Sequence, residues 1–127
     1  MKNIIIYLLI TASFTLCARE YQRVVSLSPA VTEMIYAIGA ENKLVARSSA
    51  CDHPQDVKKI PVAGALGIPA TEKILMLKAD LVVTDITAPQ SNWDILKKSG
   101  IRTVTLKSDH LSDYCKNISL LGTLLNR

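Results

Sequence analysis

Aromatic side chains are scarce in this chain. One Trp, one Phe and four Tyr stand among 127 residues, which leaves Trp93 as the one residue able to anchor a large aromatic contact. Basic residues are not clustered. Only Lys58-Lys59 and Lys97-Lys98 occur as pairs, and loss of Lys2 with a leader would leave 14 basic against 11 acidic residues, a net +3. A nucleic-acid surface needs a concentrated basic face, so that class of partner is excluded. Histidine is limited to His53 and His110. A zinc site of three or four ligands would have to recruit acids and thiols from distant loops. The glycines form no full phosphate-binding pattern. Gly64-Ala65-Leu66-Gly67 lacks the lysine of a P-loop and reads as a plain turn. No linker, repeat or low-complexity stretch marks a second domain.

What is present is a folding composition, with 49% hydrophobic and 20% charged residues, enough apolar content to build a core and too little charge for a disordered chain. The first 18 residues read as an export signal. Lys2 supplies the charged start, Ile4 to Leu16 the apolar centre, and Ala18 a small residue before the cleavage point. The apolar centre is shorter than the roughly 20 residues of a membrane span. Cys17 raises the alternative of a lipid anchor, which Leu16 disfavours because a small residue is wanted before such a cysteine. With Cys17 removed, Cys51 and Cys115 remain as an even pair in an oxidising compartment. Spacing leaves open whether they form a disulfide or stay separate thiols.

The organising stretch is Arg23-Val24-Val25-Ser26-Leu27-Ser28-Pro29-Ala30-Val31-Thr32-Glu33. It starts as a short β-type apolar run and turns at Ser28-Pro29. It continues as a helix carrying Met34, Ile35 and Ile38 and stopped by Gly39. Ser28 suits the N-cap and Pro29 the first helical position. Leu44 to Ala46 reads as a second strand, Ser48 to Gln55 as the loop at its carboxyl end, and Asp56 to Lys59 as a helical turn. Val62 to Pro69 reads as a loop, and Thr71 as the cap of a helix carrying Ile74, Leu75 and Leu77. Leu81 to Thr84 is a continuous apolar run, as expected of a parallel strand covered on both faces. Ser91 is expected to start a helix ended by Gly100, Arg102 to Leu106 to form a strand, and Leu111 to Leu125 to form a helix buried through Tyr114, Ile118, Leu121, Leu124 and Leu125. This order predicts an α/β fold, a three-layer Rossmann-like lobe with a mainly parallel sheet flanked by helices. In such sheets the ligand crevice lies at the carboxyl ends of the strands, which puts Ser28-Pro29 at its mouth. Cys51 and His53 open a second reading, a thiol enzyme, although adjacent residues rarely converge and a third orienting group would be needed.

Three blocks, taken in order, resemble one family. They are residues 23–33, then Leu-Val-Ala-Arg-Ser-Ser-Ala-Cys-Asp-His-Pro at 44–54, then Thr-Glu-Lys-Ile-Leu-Met-Leu-Lys-Ala-Asp-Leu-Val-Val-Thr-Asp at 71–85. Together they look like the amino-terminal lobe of the iron-chelate and cobalamin periplasmic binding proteins, the substrate-binding components of ABC importers, whose two lobes are joined by one long helix. The resemblance implies a monomeric exported binding protein, not an enzyme. It would capture a metal chelate (cobalamin, haem or a ferric siderophore) without a resident cofactor and deliver it to membrane permease subunits. It makes residues 19–127 an amino-terminal lobe, periplasmic or at the cell surface, and implies a connecting helix and second lobe that would follow Arg127 and are absent from this sequence. Glu72 matches the carboxylate that docks on the permease. By placement the cleft candidates are Ser28, Pro29, Ala50, Cys51, His53, Leu66 and Asp85.

The sequence also departs from the family pattern. Cobalamin binders carry cleft aromatics at the positions that look like Ala50, Leu66 and Asp85 here, and none of these is aromatic. Haem-binding relatives place an axial iron ligand on such loops. Gly64 to Pro69 offers none, and His53 remains on the neighbouring loop. The ligand is therefore open, and an exported interaction module without a small ligand stays as an alternative.

Overall fold

A computed structural model describes residues 19–87 and 89–127. The expected leader at 1–18, with Cys17, lies outside the described residues.

Four parallel strands form the sheet: β1 (Val24–Ser26), β2 (Leu44–Arg47), β5 (Leu81–Thr84) and β6 (Arg102–Thr105), in the spatial order β2-β1-β5-β6. Two further strands, β3 (Gly64–Ala65) and β4 (Ile68–Pro69), make a small antiparallel hairpin. The helices are α1 (Pro29–Ala37), α2 (Thr71–Met76), α3 (Gln90–Lys98) and α4 (Leu111–Leu125). Burial follows strand position. The central strands β1 and β5 are buried at every residue, whereas the edge strands β2 and β6 alternate or stay partly exposed. This is why β5 is written as an unbroken apolar run and β6 as Arg-Thr-Val-Thr.

Helices cover both faces of the sheet. On one side α1 and α4 bury Val31, Met34, Ile35, Leu121 and Leu125 against Val24, Leu44, Leu81 and Val83. On the other, α2 and α3 bury Ile74, Trp93 and Leu96 against Val25, Ala46 and Val82. Trp93 thus serves the core. The predicted three-layer α/β fold is present.

Local structure differs from expectation in several places: residues 64–69, expected within a loop, pair as the β3–β4 hairpin, and β6 ends at Thr105 rather than Leu106. Helix α2 is capped at Ala70 without a side-chain bond, and Thr71 is its first residue instead of its cap. Helix α3 begins at Gln90 after Pro89, one residue before Ser91. Helix α4 buries Leu121 and Leu125 and packs Leu124 on the core as expected, and adds Asn117 and Gly122, but its amino-terminal half extends past the core. Tyr114 and Ile118 are each 38% exposed. The buried Asn117 is satisfied by donating to the Lys107 carbonyl at 2.6 Å. By contrast Ser28 caps α1, accepting from Val31 N–H, with Pro29 next and Gly39 at φ +69° past the end, as expected.

Candidate functional site

Strand order reverses at β1. The first crossover leads to β2 on one side, and the next parallel strand, β5, adds on the other. That makes β1/β5 the topological switch point, and the carboxyl ends of these strands are where an open α/β sheet leaves a crevice. Four segments meet there: Leu27–Pro29 after β1, Ser48–Pro54 after β2, the hairpin 64–69, and Asp85–Thr87 after β5.

The backbone of Leu27 joins two of them. Its N–H donates to the Val83 carbonyl at 2.9 Å, and its own carbonyl accepts from Gly67 N–H at 2.9 Å. The hairpin is thereby held over the switch point. Its glycines are required. A Cβ on Gly64 would lie 2.3 Å from the Ile68 carbonyl oxygen, and one on Gly67, at φ +67°, would lie 2.9 Å from Ile86 Cγ2. Gly64 to Gly67 is therefore a close-packed turn. The apolar side chains left facing out are Leu66, Ile68 and Ile86, which are 43%, 49% and 37% exposed.

The loop after β2 is held differently, by buried polar side chains. Thr32 Oγ1 lies 2.8 Å from Ser26 Oγ, 3.0 Å from the Ser28 carbonyl oxygen and 3.2 Å from Cys51 Sγ. Ser48 Oγ also lies 3.2 Å from Cys51 Sγ. Arg47, at the end of β2, donates to three carbonyls: Ile60 through Nε, and Ser48 and Cys51 through Nη1, the last at 2.8 Å. A guanidinium fixed on three carbonyls sets the path of the loop.

The expected cleft residues separate accordingly. Ala50, His53 and Leu66 are exposed, and Pro29 and Asp85 are partly exposed, all on segments at the carboxyl edge of the sheet. Ser28 and Cys51 are corrected. Both are 1% exposed, Ser28 because its side chain caps α1 and Cys51 because its thiol is folded into the hydroxyl cluster. Cys51 is therefore no nucleophile poised beside His53. Among the described residues no disulfide is formed: Cys51 is buried in this cluster, and Cys115 is exposed on α4. Among the described residues no three His, Cys, Asp or Glu side chains come together as metal ligands. Glu72 is exposed in the first turn of α2. Sequence reasoning missed Ile68, Ile86 and Arg47. Their one signal was position, at or just beyond the carboxyl ends of strands or in the hairpin beside them.

Comparison with known proteins decides what kind of lobe this is. Residues 24–127 match the family model described as periplasmic binding protein. The chain belongs to this periplasmic binding protein family. It is 37% identical over 116 residues to a vitamin B12-binding protein of Yersinia pestis, covering 90% of this chain and 41% of that protein. A periplasmic haem-binding protein from Pseudomonas aeruginosa superposes with a TM-score of 0.78 at 31% identity, over 84% of this chain and 39% of that one. The periplasmic vitamin B12-binding protein of Vibrio cholerae gives a TM-score of 0.72 at 30% identity, over 80% and 40%. The chain spans about 41% of the length of the curated relatives it matches.

Proposed function

We propose that this chain is the amino-terminal lobe of an exported ABC-importer binding protein, with residues 1–18 as its leader and residues 19–127 as one wall of a cleft for a metal chelate such as cobalamin, haem or a ferric siderophore. The chelate would be captured, left chemically unchanged and passed to permease subunits. The observation that carries this reading is the reversal of strand order at β1/β5, with exposed Leu66, Ile68 and Ile86 on the segments packed at the carboxyl ends of those strands. Family membership and relatives that bind vitamin B12 or haem support it. In this reading Pro29, Ala50, His53, Leu66 and Asp85 face the ligand, and Glu72 faces arginines of the permease.

A single wall buries less of a ligand than a closed site does. The expected result of titrating this chain with cyanocobalamin, haemin and a ferric hydroxamate is saturable binding of at least one, with a Kd on the order of 10–1000 μM, about 4–7 kcal/mol. Placing a carboxylate in the apolar patch by Ile86→Asp should weaken that binding about tenfold or more. Absence of saturable binding for all three would overturn the proposal. For the docking role, Glu72→Arg should reduce association with a cognate permease in proteoliposomes and leave chelate affinity unchanged. Equal association would remove the role from Glu72.

A further inference from the structure

A second concavity, of about 370 Å³, opens at the opposite edge of the sheet, where β6 begins. Three cations line it, each from a different element: Arg19 ahead of β1, Lys97 in the last turn of α3, and Arg102 at the start of β6. All three are exposed. Among the described residues none of them forms an ion pair. The neighbouring acids are engaged elsewhere. Glu20 is bonded to Lys43, Asp80 accepts the Gln22 and Arg23 N–H groups at 2.9 Å each, and Asp94 accepts from Gln90 at 2.8 Å. Lys97 also offsets the negative end of the α3 dipole, but neither arginine has that role. Arg19 is placed by Tyr21, whose ring centroid lies 5.6 Å from its Cζ. The edge strand adds a backbone donor. Arg102 N–H goes to the Asp80 carbonyl and Leu106 N–H to the Thr84 carbonyl, both toward β5. N–H groups alternate along a strand, so Thr103 N–H points out of the free edge, and Thr103 is itself part of the lining.

We infer that this concavity binds a phosphate group, carried by a soluble anion or by the headgroup of an anionic phospholipid. Its donors are two guanidinium groups, one ammonium group, and the N–H and hydroxyl of Thr103. No carboxylate stands among the lining residues, so a cationic ligand would meet only like charge. Guanidinium forks match the oxygens of a phosphate, and the edge amide can serve another oxygen of the same group. Donors arriving from three elements suit a tetrahedral anion better than a flat carboxylate. The site stands at the amino-terminal edge of the sheet and the crevice at the carboxyl edge. The two can be filled together, and the inference does not depend on what the crevice receives.

The test uses the exported chain, its amino terminus fixed by mass spectrometry. Wild type is compared with a site variant, Lys97→Gln with Arg102→Gln, and with a control variant, Lys58→Gln with Lys116→Gln, which removes the same charge outside the lining. All four positions are exposed, and a thermal melt confirms that each variant is folded. In one arm inorganic phosphate is titrated at constant ionic strength and followed by NMR at the Thr103 amide. Wild type should shift saturably, with a Kd on the order of 1 mM. The site variant should bind about tenfold or more weakly, and the control variant within about twofold of wild type. In the other arm the proteins are floated with vesicles of phosphatidylglycerol or of phosphatidylcholine. Saturable phosphate binding without retention on phosphatidylglycerol assigns a soluble phosphate. Retention on phosphatidylglycerol alone, lost in the site variant and kept in the control variant, assigns a lipid headgroup. Either outcome supports the inference. It is overturned if wild type neither responds to phosphate nor floats with phosphatidylglycerol. It is equally overturned if the two variants lose binding to the same extent, which would reduce the effect to net charge.

Discussion

The two sides of the crevice are built by opposite means. The side after β2 is tied by polar side chains: half-buried Arg47 on three carbonyls, and buried Thr32, Ser26, Ser48 and Cys51 in one cluster. Among the described residues the hairpin side has almost no side-chain bonding. It is tied by backbone, through Leu27 to Gly67 and Ala70 to Ala63, and by the absence of side chains at Gly64 and Gly67. The first side presents small or polar groups such as Ala50 and His53, and the second presents apolar ones. A wall fixed by polar networks tolerates little change inside and leaves its surface free to vary. A wall fixed by close backbone approach tolerates no added atoms and leaves bulky side chains on its outer face.

This contrast can be broken most severely on the hairpin side. Gly64→Ala places a methyl against the Ile68 carbonyl, a contact that backbone must move to relieve. We expect a loss of about 2–4 kcal/mol in urea unfolding, with the hairpin displaced. A loss below about 0.5 kcal/mol would mean that the hairpin is not held over the switch point. On the polar side, Arg47→Met keeps length and removes three charge-assisted bonds. We expect about 1.5–3 kcal/mol, and faster amide exchange at Ala63 and Ser48, whose N–H groups bond Arg47 and Ser26 carbonyls beside it. Unchanged exchange there would show that the loop keeps its path without the guanidinium. The smallest effect sharpens the comparison rather than breaking it. An alkylating reagent should modify exposed Cys115 at an ordinary thiol rate, and Cys51 at least ~100-fold more slowly, only through opening of the cluster. Fast labelling of Cys51 would place its thiol in the crevice after all.

Much of the fold is legible in the sequence because it rests on local rules. The unbroken run Leu81–Thr84 declared a central parallel strand, and Ser28-Pro29 followed by Gly39 bounded α1 correctly. The stripe of α4 was right at Leu121, Leu124 and Leu125, whereas Tyr114 and Ile118, on the same face, stay half-exposed toward the start of the helix. How much of a helix is covered is set by the reach of α1 and the sheet beneath it, which no single helix encodes. For the site, the carboxyl-edge rule located the loops, while which side chains face outward depends on tertiary pairing. Cys51 turned inward because Thr32 and Ser48, distant or unremarkable in sequence, surround its sulfur. Ile86 gained its place from Gly67, with which it shares no local pattern.

One remaining feature joins parts far apart in the chain. Lys43, 5% exposed, donates to Glu20 Oε1 at 2.6 Å and to the Leu125 carbonyl, while Tyr21 N–H donates to the Leu124 carbonyl. The hydrogen bond from Lys43 holds the Glu20 carboxyl below the usual range. Strand β1 is approached and helix α4 is finished at the same ammonium group. Neither segment can lift away without stranding a covered cation. The amides of Tyr21 and Arg127, the latter bonded to the Gly122 carbonyl, should therefore exchange with solvent in one shared opening instead of fraying separately, so that these two distant stretches behave as a single cooperative unit.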